Sequence, residues 1–327
     1  MADNEFTLKP TRMMTHPHTT RSRLMLEVAS ALVNRRDWPL LQARVSLREQ
    51  GAEDWALNLF ASDSPATIHE VAAGRVQFAM INPGMILRLA ALGSAPFAAP
   101  IPLRIIAILP ALDQMVFAVN QSTGLKSITD IRERKYPLKL SLRGQPDHSL
   151  QVIINHVCAA AGFTLDDIVS WGGQVRYDSG MPYGQNRIGA VHRGDIDAIF
   201  DEGASAWGNM ALELGMTFLT LPEAILQRLE AVGLRRGLIE KKSFPKLSAD
   251  VPTLDFSGWP VYTLASTPDS LVRDFCRALD ESKALIPWAK AEPLPMAQMV
   301  RDSAEGHLEV PLHPAAAAYW RELGYLS

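Results

Sequence analysis

The run Arg143-Gly144-Gln145-Pro146-Asp147-His148-Ser149 follows an apolar stretch, 138–142, and leads into residues with helical spacing. An arginine at the end of a strand can grip a carboxylate through two parallel hydrogen bonds, and the glycine after it lets a ligand approach the main chain. The competing reading of Arg143 is an ion pair at the surface or between domains. His148 beside Asp147 reads either as a proton carrier or as part of a capping turn. Gln145 and Ser149 lie in the same loop, Ser149 also as an ordinary helix cap. Asp201-Glu202 closes another apolar run, and two carboxylates there repel an anion unless they face a cation or a ligand hydroxyl. With His148, that pair is where catalysis would sit if the chain is an enzyme. Ser62 and Ser64 precede a helical segment at 66–73, each as a cap or a ligand contact, and Asn82-Pro83 follows the run 76–81. Arg176, Tyr183 and Gln185 come from a glycine-rich stretch, 171–187, that reads as a ligand-binding edge or as a solvated loop. Trp259 and Tyr262 offer an apolar wall.

Such residues need strands to deliver them. Short apolar runs alternate with helix-period stretches along most of the chain, the pattern of parallel sheets covered by helices. The spacing predicts helices over 24–34, 66–73, 149–161, 205–214 and 268–286, and another opening at Ser127. Strands are expected over 43–49, 76–81, 104–109, 115–119, 138–142, 217–221 and 261–265, with one more ending at Phe200. Residues 240–255, holding Pro245 and Pro252, read as a loop-rich connection. In doubly wound sheets ligands bind outside the carboxyl ends of the strands, where helix N-termini supply free N–H groups and partial positive charge.

A chain of 327 residues is long enough for two domains. Its 47% hydrophobic and 20% charged residues are a globular balance, and a net charge of -3 gives no field for nucleic acid. No run nears the ~18–20 apolar residues that span a bilayer, so no membrane insertion is expected. The start lacks an apolar core of ~7–15 residues behind a basic end. As written the chain therefore reads as cytoplasmic, and a trimmed or misassigned start would make it periplasmic. Cys158 and Cys276 lie in helical segments and read as buried apolar groups without a disulfide. His16-Pro17-His18 is a two-ligand pattern lacking a third, so no metal is expected, and no motif for a cofactor or for a catalytic nucleophile occurs.

Several phrases run in a telling order: Ser62-Asp63-Ser64-Pro65 before a helix, Lys126-Ser127-Ile128-Thr129-Asp130-Ile131, Arg193-Gly194-Asp195-Ile196-Asp197-Ala198, and Val310-Pro311-Leu312-His313-Pro314 before a final helix. Together they resemble the TAXI solute receptors of TRAP transporters, which have the type II periplasmic-binding-protein fold. Two stretches depart from that family's pattern. His16-Pro17-His18-Thr19-Thr20-Arg21 stands where a glycine-rich turn is usual, and Arg143 to Ser149 replaces a Gly-Ser turn. The resemblance implies two doubly wound α/β lobes with a cleft between them, lobe I from 1–119 and 259–327 and lobe II from 120–258. It implies capture of a small organic anion, a carboxylate, by lobe closure, with a transporter membrane subunit as partner if the chain is exported. The alternative is a cytoplasmic enzyme on the same scaffold, such as a decarboxylase of an aromatic or hydroxy acid.

Overall fold

The computed structural model describes residues 24–26, 28–29, 42–48, 56–286 and 292–327, in compact units 1–38 and 39–327. Residues 24–26 and 28–29 of the first unit are helical; the rest of the expected first helix and His16-Pro17-His18 lie outside the described residues. The second unit is built on two five-stranded sheets. One has the order β1 (Ala43–Arg48), β2 (Ala56–Ala61), β3 (Phe78–Met80), β12 (Trp259–Leu264), β4 (Leu103–Leu109). The other has the order β7 (Gln174–Asp178), β6 (Lys139–Arg143), β8 (Ala198–Asp201), β5 (Val116–Asn120), β9 (Met216–Phe218). A separate pair joins β10 (Arg236–Ile239) to β11 (Val251–Leu254).

Neither sheet is wholly parallel. β2 with β3, and β6 with both β7 and β8, run parallel, but β12 lies antiparallel to β3 and β4, and β5 antiparallel to β8 and β9. The edge strand β1 is also reversed, antiparallel to β2, and β12 and β5 are the strands the chain enters directly on passing from one sheet to the other. It passes out between Leu109 and Val116 and returns between Leu254 and Trp259, and the two passages pair with each other. Phe256 N–H donates to the Asp113 carbonyl and Gly258 N–H to the Ala111 carbonyl, both at 2.9 Å. The Ser257 hydroxyl accepts from Asp113 N–H at 3.0 Å. Gly258 has φ of +85°, and a Cβ there would lie 2.6 Å from the Gly306 Cα, so the return passage has no room for another residue type.

The helices form where apolar spacing and caps agree. Ser149–Ala161 buries Leu150, Ile153, Ile154, Val157, Cys158 and Ala161, one face at 3.6-residue spacing, and stops at Gly162 in the left-handed region. The phrase ending in His313 has a physical reason. His313 N–H donates to the Ile105 carbonyl, and its Nδ1 accepts from Ala315 N–H, so the segment adds to the first sheet and then caps the last helix, Pro314–Glu322. That helix and Asp269–Ser282 cover the first sheet, where Trp320, Val272 and Cys276 pack with Phe78 and Ile106. Both cysteines are free and buried, and burial pushes each thiol up to about 12. Tyr262, expected at the cleft, is instead fully buried in the core of the first sheet. No helix among the described residues is long and apolar enough to cross a membrane.

Candidate functional site

Parallel strands with a common register bring their C-terminal residues to one edge. β6 and β8 pair Leu140 with Ala198 and Ser141 with Ile199, and two residues further on stand Arg143 and Asp201. Arg143 Nη2 donates to Asp201 Oδ1 at 2.7 Å, and Nη1 reaches Glu202 Oε1 at 2.9 Å. Asp201 is completely buried; its other oxygen accepts from Arg187 Nη1, and Oδ1 also accepts from Glu202 N–H at 2.9 Å. Arg187, likewise fully buried, is held further by the Ser141 hydroxyl at 3.2 Å. Gly203, at φ +82°, turns the chain after this pair, and the carboxylate of Asp113 in the outgoing passage accepts from the Gly203 and Ala204 N–H groups.

The first sheet contributes from its own C-terminal edge. After β2 the loop carries Ser62, Asp63 and Ser64, and after β3 it carries Asn82. Asn82 Nδ2 donates to Glu202 Oε2 at 3.0 Å, which joins the two lobes through one carboxylate. A second joint is made by Ser149, whose N–H and hydroxyl both donate to the Asp63 carbonyl, at 2.8 and 2.6 Å. The start of helix Ser149–Ala161 is thus taken by the protein's own oxygen, where the sequence suggested a place for a ligand. Ser62 and Ser64 turn inward to their own loop: the Ser62 hydroxyl accepts from Ser64 N–H, and that of Ser64 from Ala66 N–H.

His148 caps the same helix, its Nδ1 accepting from Leu150 N–H at 3.0 Å. Burial first, then the positive charge of Arg143, lowers its pKa to about 3, so it is neutral and holds one ring proton. With Nδ1 an acceptor, that proton belongs on Nε2, an assignment that follows from the hydrogen-bond network. Yet Nε2 lies 3.0 Å from Arg143 Nη1, and a guanidinium can only donate. Two donors therefore converge on one point. The nearest shared oxygen is Glu202 Oε1, 2.9 Å from Nη1 and 3.8 Å from Nε2.

Charge in the cluster is unbalanced toward acid. Arg143 and Arg187 face Asp201, Glu202, Asp63 and Asp113. Burial alone would raise the Asp201 pKa, but the two guanidiniums reverse that and hold it below the usual range. Glu202 goes the other way: burial, aided by Asp113, Asp201 and Asp63, outweighs Arg143 and pushes it up to about 8. Burial also raises Asp63 and Asp113, each to about 6. A carboxyl whose folded pKa exceeds its unfolded value binds its proton more tightly in the native state, so stability falls as pH rises through the native value. His148 acts in the opposite sense, but only below its unfolded value near 6.5. Above pH 6.5, then, the melting temperature is expected to fall by roughly a few degrees toward pH 9, and Glu202→Gln to flatten most of that slope. A thermal melt series in one buffer mixture checks it, and a wild-type melting temperature that rises over this window would contradict it.

The cluster unites Arg143, His148, Ser149, Asp201, Glu202 and Asn82 from the sequence reading, and adds Asp63, Asp113, Ser141 and Arg187. Gln145 meets it only through its backbone carbonyl, which accepts from His148 N–H at 3.3 Å and from Gln151 Nε2 at 3.4 Å. Arg176 is paired with Asp178 on the edge strand β7, Tyr183 and Gln185 are exposed, and Trp259 is 39% exposed. Among the described residues no hydrogen bond or ion pair ties these four to Arg143. Arg187 sat in the same polar stretch as Tyr183 and Gln185, yet only the fold shows that its partner is fourteen residues on, across the sheet.

The family profile described as NMT1-like family matches residues 61–324. The chain belongs to this family. No curated protein matches it. Among solved structures, it is similar at 14% identity to a choline-binding protein of an ABC transporter in complex with choline, with a TM-score of 0.39 over 79% of this chain and 75% of that one. The alkanesulfonate-binding protein SsuA from Xanthomonas axonopodis pv. citri, bound to MOPS, is 14% identical with a TM-score of 0.33, over 68% of this chain and 60% of its own. A TctC solute-binding protein from Polaromonas gives 12% identity and a TM-score of 0.35, over 66% and 68%. The chain spans about 60% of the length of the SsuA structures it matches.

Proposed function

We propose that this NMT1-like protein is a solute receptor that closes its two lobes on a small organic anion and grips a carboxylate of that anion with Arg143. The observation that supports it is the convergence of donors. Arg143 Nη1 from one lobe and Asn82 Nδ2 from the other both bind a single carboxylate, that of Glu202, and His148 Nε2 lies 3.0 Å from the same Nη1 and 3.8 Å from Glu202 Oε1. A ligand carboxylate put there would separate the two opposed donors and satisfy both. The finer reading is a receptor of the TAXI kind, serving a TRAP-type membrane subunit. Calorimetry and thermal shift with dicarboxylates, aromatic acids and amino acids test the function. Binding of at least one carboxylate with a Kd in the micromolar range or below is expected, and a chain indifferent to the whole panel would not be such a receptor.

The adjacent carboxyls of Asp201 and Glu202, driven apart in pKa, favour one second reading. Such a split is how enzymes assign an acid and a base, so a decarboxylase on this scaffold would use Glu202 as its proton donor. Consumption of a bound acid by the wild-type protein, lost in Glu202→Gln, would replace the receptor reading.

A further inference from the structure

We propose that the site takes up its anion together with one proton, and that Glu202 is the group that carries it. This rests on the carboxylate reading above. The geometry requires a choice. Glu202 Oε1 already occupies Arg143 Nη1, and Oε2 already occupies Asn82 Nδ2, so an incoming carboxylate must share or take these donors. No other cation among the described residues offers a direct contact to a second anion there. Arg187 is spent on Asp201 and Ser141, and Arg143 Nη2 on Asp201. Two carboxylates on one half of a guanidinium cannot both stay ionised in a buried space, so one of them must be neutralised.

Every titratable group facing Glu202 points to Glu202 itself as the one. Asp201, beside it in the chain, is held ionised by two arginines. Asp113, from the outgoing passage, is kept as an anion acceptor by the N–H groups of Gln114, Gly203 and Ala204. Asp63, from the first lobe, is one-third exposed and can turn to water, and His148 is already neutral, with Nε2 3.8 Å from Glu202 Oε1. Glu202 is held only by Arg143 Nη1 and Asn82 Nδ2, the donors the incoming anion must share, and is the carboxyl most easily protonated, with a pKa already pushed up to about 8.

Asn82 fits both forms of Glu202. Its Oδ1 is buried with no hydrogen-bond partner, while Nδ2 serves the ionised carboxylate. Turning the amide over brings Oδ1 to face Oε2, where a protonated Glu202 can donate to it. The joint between the lobes is therefore kept when the proton arrives, and the orphaned acceptor gains its donor. The anion then holds Arg143 Nη1 and the His148 proton, and a neutral Glu202 closes the lobes over it.

The test is calorimetry of the full chain with succinate, benzoate and L-glutamate at pH 6.5 to 9.5, each in two buffers of different ionisation enthalpy. Ordinary carboxylic acids titrate near 4 and stay ionised throughout, so a proton taken up must go to the protein. Uptake is expected to rise from near zero at the acid end to about one per anion at pH 9. The Kd of the acid that binds should then increase about tenfold per pH unit at the alkaline end. In Glu202→Gln the uptake should vanish and the Kd should stay level across the range. Wild-type binding without proton uptake at pH 9 overturns the coupling and leaves the carboxylate reading standing. Uptake that persists in Glu202→Gln shows that another group carries the proton, and also overturns it. If none of the acids binds, the carboxylate reading fails and the coupling fails with it.

Discussion

Asp201→Ala is expected to destabilise the unliganded protein by about 3–5 kcal/mol, the range for removing one partner of a buried ion pair. The reason is local and countable. Asp201 has no exposed surface, and its two oxygens take up Arg143, Arg187 and the Glu202 N–H. Arg143 retains a partial exit toward the cleft and a second carboxylate in Glu202, whereas Arg187 is completely buried and would keep only the hydroxyl and carbonyl of Ser141. A guanidinium does not shed its proton, so it cannot escape the cost by turning neutral as a carboxyl can. Asp201→Asn keeps the shape and is expected to lose most of the same stability, because an amide cannot balance two cations. Urea denaturation of the three proteins measures the differences. A loss below about 1 kcal/mol in Asp201→Ala would mean that water reaches Arg187, and that the pair is not the buried anchor of the second lobe.

Position along a strand was the part of this site legible in sequence. Arg143 and Asp201-Glu202 each end an apolar run, and strands in one parallel sheet place such ends along one edge, so their meeting could be argued from two separate stretches of chain. What the sequence could not display was pairing. Arg143 reads either as a ligand grip at a lip or as an ion-pair residue; in the fold its neighbours across the sheet are acids, and only the order β6 next to β8 reveals which acids they are. Asp63 and Asp113 carry no local cue either, because each acts through groups far along the chain: Ser149 for the first, Gly203 and Ala204 for the second. The edge strand β7 was hidden for a related reason. Its Gln174, Arg176 and Asp178 are polar at alternate positions, and two glycines precede it, so its pattern matches a loop as well as a strand. β11 was concealed by Pro252, tolerated because β11 pairs with one strand, β10, and the proline still offers its carbonyl, which accepts from Leu221 N–H at 3.0 Å.

Arg143→Ala separates the ligand from the fold, and it should do so in the opposite proportion to Asp201→Ala. The two halves of the guanidinium have different work: Nη2 is fixed on Asp201, while Nη1 faces the point where the donors of His148 and Asn82 also gather. Removing the side chain leaves Asp201 still paired with Arg187, and Glu202 free to become neutral, so no buried charge is stranded. The empty protein is therefore expected to lose only about 1–2 kcal/mol, in the range of one or two charge-assisted hydrogen bonds. Carboxylate binding should weaken by about 2–5 kcal/mol, the range for truncating one member of a buried charged contact. Arg143→Lys is expected to bind poorly as well, since one ammonium cannot hold Asp201 and the ligand with the two arms of a planar fork. It should nevertheless fold better than the alanine variant, because it restores a cation beside Asp201. Urea denaturation and calorimetry on the same preparations give both quantities. If Arg143→Ala unfolds as readily as Asp201→Ala, or binds an acid like wild type, then Arg143 is a strut of the second lobe and the anion is held elsewhere.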